Sequence, residues 1–148
     1  MAKQQHPQLP TGGINPFYAS VEAVRQAGEF LPAQYRTIDD EWLEQYKEGL
    51  DILKKAFENK GGIHLLEVED FRIICRAPSR EILNKSSSSA SAEKRIDADL
   101  NFVGQCMLYP APEVLGRWMD DHAGLASTFA SKLLEISKVT QEALAKKL

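Results

Sequence analysis

The stretch KGGIHLLEVEDFRIICRAPSREIL, residues 60–83, decides the fold, because the apolar period changes within it from helical to extended. After Gly61-Gly62 the side chains repeat at about every second position, the spacing of a strand rather than a helix. Residues 63–69 and 71–76 read as two short strands joined at Glu69-Asp70, a tight turn without the glycine that would strengthen a hairpin assignment. Ile63, Leu65 and Val68 are expected to supply one buried face. Two strands alone are marginally stable in water, so the hairpin must lie against helices. Ala77-Pro78-Ser79 then ends the second strand, since proline cannot donate to a ladder but starts a helix well, and a short helix is expected over 79–84.

Upstream of the glycine doublet lies the clearest helix. Thr37 is a plausible N-cap, with Asp40 three residues later imitating the second half of a capping box, and Asp39, Asp40 and Glu41 lie where the helix dipole favours negative charge. Trp42, Tyr46, Leu50, Leu53 and Phe57 then recur every three or four residues as one apolar stripe, and Lys54 and Lys55 match the dipole at the far end. Before it, Phe17, Val21 and Val24 share a helical face closed by Gly28. Residues 1–16, rich in Gln, Pro and Gly, carry too little apolar surface to offset chain entropy and read as a flexible N-terminal arm.

Downstream, serines at 86–89 and 91 mark a loop over about 85–92. A helix resuming near Glu93 carries Ile96, Leu100, Val103 and Met107 on one face, with Phe102 and Cys106 beside it, and ends at Tyr109-Pro110-Ala111-Pro112. A short apolar helix with Val114, Leu115, Trp118 and Met119 follows, then a connector over 120–124. Leu125, Phe129, Leu133 and Ile136 mark a last long helix. The expected fold class is therefore α+β, mainly α: several helices packed with one small β-hairpin near 63–76, forming a single domain over 17–148.

A chain of 148 residues with 26% charged side chains and a net charge of −3 has no electrostatic case for nucleic acid or for an anionic membrane surface. No apolar run approaches the ~20 residues of a membrane span, and the N-terminus has no apolar signal core, so a cytoplasmic location is expected. The two cysteines, Cys75 and Cys106, belong to no CxxC pair and read as small apolar core residues of a reduced compartment. His6, His64 and His122 are isolated, and neither HExxH nor a zinc-ribbon spacing is present, so no metal is expected. There is no GxSxG, and neither glycine doublet leads into GK[ST] or a GxGxxG run, so no cofactor and no catalytic residue is expected. Arg72, Arg76 and Arg80 form a local positive cluster suited to an ordinary solvated surface, to an acidic partner, or to the acidic helix of the same chain.

The order of these elements, and the segment Arg76-Ala77-Pro78-Ser79-Arg80-Glu81-Ile82-Leu83 followed by Gln105-Cys106-Met107-Leu108, resembles the small tail assembly chaperones of long-tailed bacteriophages and prophages. The likeness covers residues 45–148, from the capped helix and hairpin to the final helix and its charged tail. It implies a non-enzymatic protein that coats the long, aggregation-prone tape measure protein before tube subunits polymerise around it. It also implies action without nucleotide or metal, in a bacterial host cytoplasm.

On that reading the partner is another protein, a tape measure or other tail protein, with homo-oligomer formation left open. The candidate protein-binding residues are Trp42, Tyr46, Arg76, Arg80, Phe102, Trp118 and Phe129, although helical spacing assigns the aromatic members to the core first. Two other readings stand beside it: a structural component retained in a phage particle or related injection machine, and a small enzyme using Cys75 or Cys106.

Overall fold

At the centre of the fold runs a strand with no free apolar side. In this computed structural model, which describes residues 13–18, 21–86 and 95–146, β2 (Phe71–Arg76) pairs with β1 (Ile63–Val68) on one side and with β3 (Met107–Tyr109) on the other. The order is β1-β2-β3 and both pairings are antiparallel. Ile73 and Cys75 are fully buried on one face of β2, and Ile74 is buried on the other. A strand covered on both faces reads as a continuous apolar run, which is why residues 71–75 show no polar alternation apart from Arg72.

Helices cover the two faces. The first face carries Leu66, Ile73, Cys75 and Met107 against α5 (Arg95–Cys106), α6 (Pro112–Trp118), α7 (Leu125–Lys146) and Ile82 of α4 (Arg80–Ser86). Phe102, Val103 and Cys106 of α5 meet Phe129 and Leu133 of α7 there. The second face carries Ile74, Leu108 and Tyr109 against α1 (Glu22–Gly28), α2 (Asp40–Gln45) and α3 (Lys47–Ala56) through Val24, Ala27, Trp42, Leu50 and Leu53. Burial of each large apolar side chain stabilises the fold by about 1.5–3 kcal/mol. The mainly helical α+β class expected from the sequence is what forms, with three strands where one hairpin was expected.

The glycine doublet connects helix to sheet. Gly61 and Gly62 have φ of 92° and 77°, and the Gly62 amide donates to the Phe57 carbonyl at 2.9 Å, closing the end of α3. The hairpin turn falls at Glu69-Asp70, with Val68 opposite Phe71 and Glu69 at φ 53°.

Several local expectations are corrected. Asp39, not Thr37, caps α2: its carboxylate accepts from the Trp42 amide at 2.8 Å. The expected single helix divides at Tyr46, which leaves helical geometry at φ −107° and ψ 27°, although the stripe from Trp42 to Phe57 still faces one core. On β1 the buried residue is Leu66, in the first core, while Leu65 on the other face is exposed. Phe17 and Val21 are exposed and precede α1, so of the three residues expected on one helical face only Val24 lies in the helix and enters the core.

Met107, Leu108 and Tyr109 form a strand rather than the end of α5. A bulge opposite Ile74 and Cys75 makes Leu108 an extra residue on β3. It lets Met107 join the first core while Leu108 and Tyr109 join the second. Residues 1–12 of the expected arm and 87–92 of the expected serine-rich loop lie outside the described residues. The last residues assigned to the arm do not behave as one. The Asn15 amide donates to the Leu108 carbonyl at 3.1 Å, on the outer edge of β3. The Asn15 side chain is buried, donates to the carbonyls of Gly104 and Met107, and accepts from the Phe17 amide. One polar residue thus supplies partners for an edge that would otherwise be left unpaired.

Candidate protein-binding groove

α3 lies against α1, and its Leu50 and Leu53 share the second core with Ile74 of β2 and Ile63 of β1. On the second face of the sheet, Leu65 stands opposite Ile74 and Ile63 stands opposite Arg76. Ile74 is buried and Leu65 is not. The space left between α2–α3 and β1 is a groove of about 410 Å³. Its apolar lining comes from Leu43, Leu50, Ile63, Leu65 and Ile74. Its rim carries Asp40 and Glu44 from α2, and Lys47 and Lys54 from α3.

The local sequence explains this geometry. Leu43 of α2 and Leu50 of α3 lie on either side of the break at Tyr46, and both line the groove that faces β1. Asp40 and Lys47 lie three before and four after Leu43, Lys54 lies four after Leu50 and Glu44 is next to Leu43, so the four line the groove beside the leucines in the chain order acidic, acidic, basic, basic. His64 borders the groove from β1, with its Nε2 2.9 Å from the Gly61 carbonyl oxygen. Lys54 lies 4.0 Å from Asp51, with both side chains more than half exposed.

Among the described residues, two smaller concavities lie elsewhere. One of about 380 Å³ is lined by Asn15, Phe17 and Leu100 together with Gly104, Pro112 and Gly116. Another of about 280 Å³ lies beside Glu69, His122 and Thr128. Neither carries a charge sequence along an apolar floor.

The residues singled out from the sequence do not converge. Trp42 is 2% exposed, with its ring 5.0 Å from that of Tyr109 and 5.1 Å from that of Tyr46. Phe102 and Phe129 are buried in the first core, so these three rings hold the fold together and cannot be presented to a partner. Tyr46 is half-buried, and its hydroxyl accepts from Arg36 at 2.6 Å. Trp118 is half-buried between Phe71 and Tyr35, with ring centroids at 4.8 and 5.3 Å. The Arg76 guanidinium lies over the Phe57 ring at 5.0 Å and its Nε donates to the Ala77 carbonyl, while Arg80 is exposed at the start of α4. Arg72 turns toward its own chain, donating to the Ile38 carbonyl at 3.0 Å and pairing with Glu67 at 3.3 Å. The positive trio is therefore not one surface: two of its members are committed within the fold.

The cysteines are poorly placed for nucleophilic chemistry. Both are buried and free. Burial pushes the Cys75 thiol well above its ordinary range, and it pushes Cys106 up to about 12 against a smaller opposing influence from Arg76. A thiol held protonated at neutral pH is a weak nucleophile. Burial likewise pushes the Tyr109 phenol up to about 12. Among the described residues, no group of three or more His, Cys, Asp or Glu is arranged to hold a metal ion, and no helix is long and apolar enough to cross a membrane.

The groove itself escapes sequence reasoning. Its one local signal is the Leu65-Leu66 doublet, since adjacent strand residues point to opposite faces and both cannot enter the same core. Comparison with protein-family models, with curated proteins and with solved structures gives no match.

Proposed function

We propose that this chain is a non-enzymatic protein-binding protein whose groove between α2–α3 and β1 receives a helical segment of a client. In this reading it acts as a tail assembly chaperone and the client is the tape measure protein. The observation that carries the reading is Leu65, a leucine left 43% exposed on a sheet face where its cross-strand partner Ile74 is buried. An apolar trough with charged lips is the form in which globular proteins take one face of an amphipathic helix. A volume of about 410 Å³ falls within the range of preformed ligand sites and suits a few anchoring side chains. The buried, protonated thiols speak against the cysteine-enzyme alternative.

The test is co-expression of the tagged chain with a candidate tape measure protein, followed by affinity purification. The wild-type chain is expected to retain the client and keep it soluble, and Leu65→Asp is expected to lose it while folding normally. Equal retention by both forms would reject the groove. Mass spectrometry of purified particles addresses the role itself, because a chaperone is absent from the finished object and a structural component is retained.

A further inference from the structure

The groove has a direction. Its lip changes sign along its length, from Asp40 and Glu44 at one end to Lys47 and Lys54 at the other. Asp40 opens α2 and Lys54 lies near the end of α3, so the four charges run along both helices. All four side chains are exposed, and among the described residues Asp40, Glu44 and Lys47 make no ion pair. Lys54 has only its 4.0 Å approach to Asp51, which stands on the same helix outside the groove lining and weakens the basic end without cancelling it.

We infer that the groove selects an amphipathic helix lying antiparallel to α2–α3, with acidic residues in its first turn and basic residues in its last. This inference rests on the proposed reading of the groove as the client site. Four influences act in the same sense. Basic side chains at the partner's C-terminus meet Asp40 and Glu44. Acidic side chains at its N-terminus meet Lys47 and Lys54. Each set of charges also lies at the helix end where the partner's own dipole favours it, and the antiparallel arrangement places opposite dipole ends side by side. A parallel partner would need acidic residues in its last turn and basic residues in its first to match the same lip, against its own dipole. The apolar stripe between the charged ends then covers Leu65 and Leu43.

The test uses two synthetic 18-residue peptides with blocked ends and an identical leucine stripe. One carries glutamates in the first turn and lysines in the last, and the other has the two sets exchanged. Affinities are measured by calorimetry against the wild-type chain and against the fourfold variant D40K/E44K/K47E/K54E. The wild type is expected to prefer the first peptide, and the variant is expected to shift that preference at least tenfold toward the second. Comparing the two proteins removes the difference in intrinsic helicity between the peptides. Should the fourfold variant fail to fold by circular dichroism, D40K/E44K alone is expected to shift the preference in the same sense.

An unchanged preference overturns the inference. If both peptides still bind and Leu65→Asp abolishes both, only the charge polarity has failed and the groove remains the client site. If neither peptide binds, or if binding survives Leu65→Asp, the groove reading has failed as well. Concentration-dependent self-association that Leu65→Asp disrupts, without peptide binding, assigns the groove to a second copy and also overturns the inference.

Discussion

Leu65 and Ile74 stand directly opposite each other on the β1–β2 ladder and share one face of the sheet, yet Leu65 is 43% exposed and Ile74 only 2%. The difference comes from the helices above them. Leu50 and Leu53 of α3 share the second core with Ile74, whereas Leu65 lines the groove beside them and stays partly open to solvent. The pair separates what stability requires from what is left available for binding.

Truncating the two residues should therefore give unequal results. Ile74→Ala removes a buried side chain from close packing and is expected to cost about 2–5 kcal/mol, read as a lowered urea midpoint. Leu65→Ala is expected to cost less, about 1 kcal/mol, since Leu65 is already 43% exposed and lines an open groove. Equal losses would mean that Leu65 is covered in solution.

Asn15 should behave as part of the core despite its position near the N-terminus. It is 1% exposed and its side chain holds the carbonyls of Gly104 and Met107. Asn15→Ala leaves both acceptors buried without that donor, at an expected cost of about 1–3 kcal/mol. Asn15→Asp should be worse at neutral pH, because a carboxylate would face two carbonyl oxygens. Denaturant melts showing no effect from either change would contradict this assignment.

The two glycines after α3 should not be equivalent. Both have positive φ, so alanine at either position is strained, by about 1 kcal/mol or more. At Gly61 an added Cβ would also lie 2.6 Å from the Ala77 Cβ, whereas at Gly62 it meets nothing within 4 Å. Thermal melts should rank Gly61→Ala as the more damaging change.

Stability should fall at alkaline pH. The Cys75 thiol is raised by burial and Cys106 lies at about 12, against an ordinary thiol value of 9.0. Tyr109 lies at about 12 against 10.0. Between the ordinary and the raised values the unfolded chain has released protons that the folded chain retains, so stability decreases as pH rises. The stabilisation is whole below about pH 9, declines between about 9 and 12, and changes by at most about 1.4 kcal/mol per pH unit for each group. Cys106→Ala should flatten part of that decline in urea melts followed across the window.

Much of the fold was legible because a few patterns are strong. Leu125, Phe129 and Leu133 recur at helical spacing, and all three are buried along α7. The Gly61-Gly62 stop and the change of period after it located the hairpin. What was missed depends on contacts distant in sequence. Met107-Leu108-Tyr109 continues an apolar helical face by spacing, and only its pairing with Ile74 and Cys75 makes it a strand. Asn15 sits in a Pro- and Gly-containing segment that reads as solvent-exposed, and its role appears only when the edge of β3 is brought beside it. The groove is harder still. Trp42, Phe102 and Phe129 are conspicuous in the sequence because they build the cores, whereas Leu65 becomes significant only through where α3 ends up lying.

The most direct measurement is amide hydrogen exchange of the chain alone and in complex with its co-purified client. The account predicts new protection confined to α2–α3 around Leu43–Lys54 and to β1 around Ile63–Leu65, with the α5–α6 side near Phe17 unchanged. Protection centred on that opposite side, with residues 43–54 and 63–65 exchanging as they do in the free chain, would contradict it.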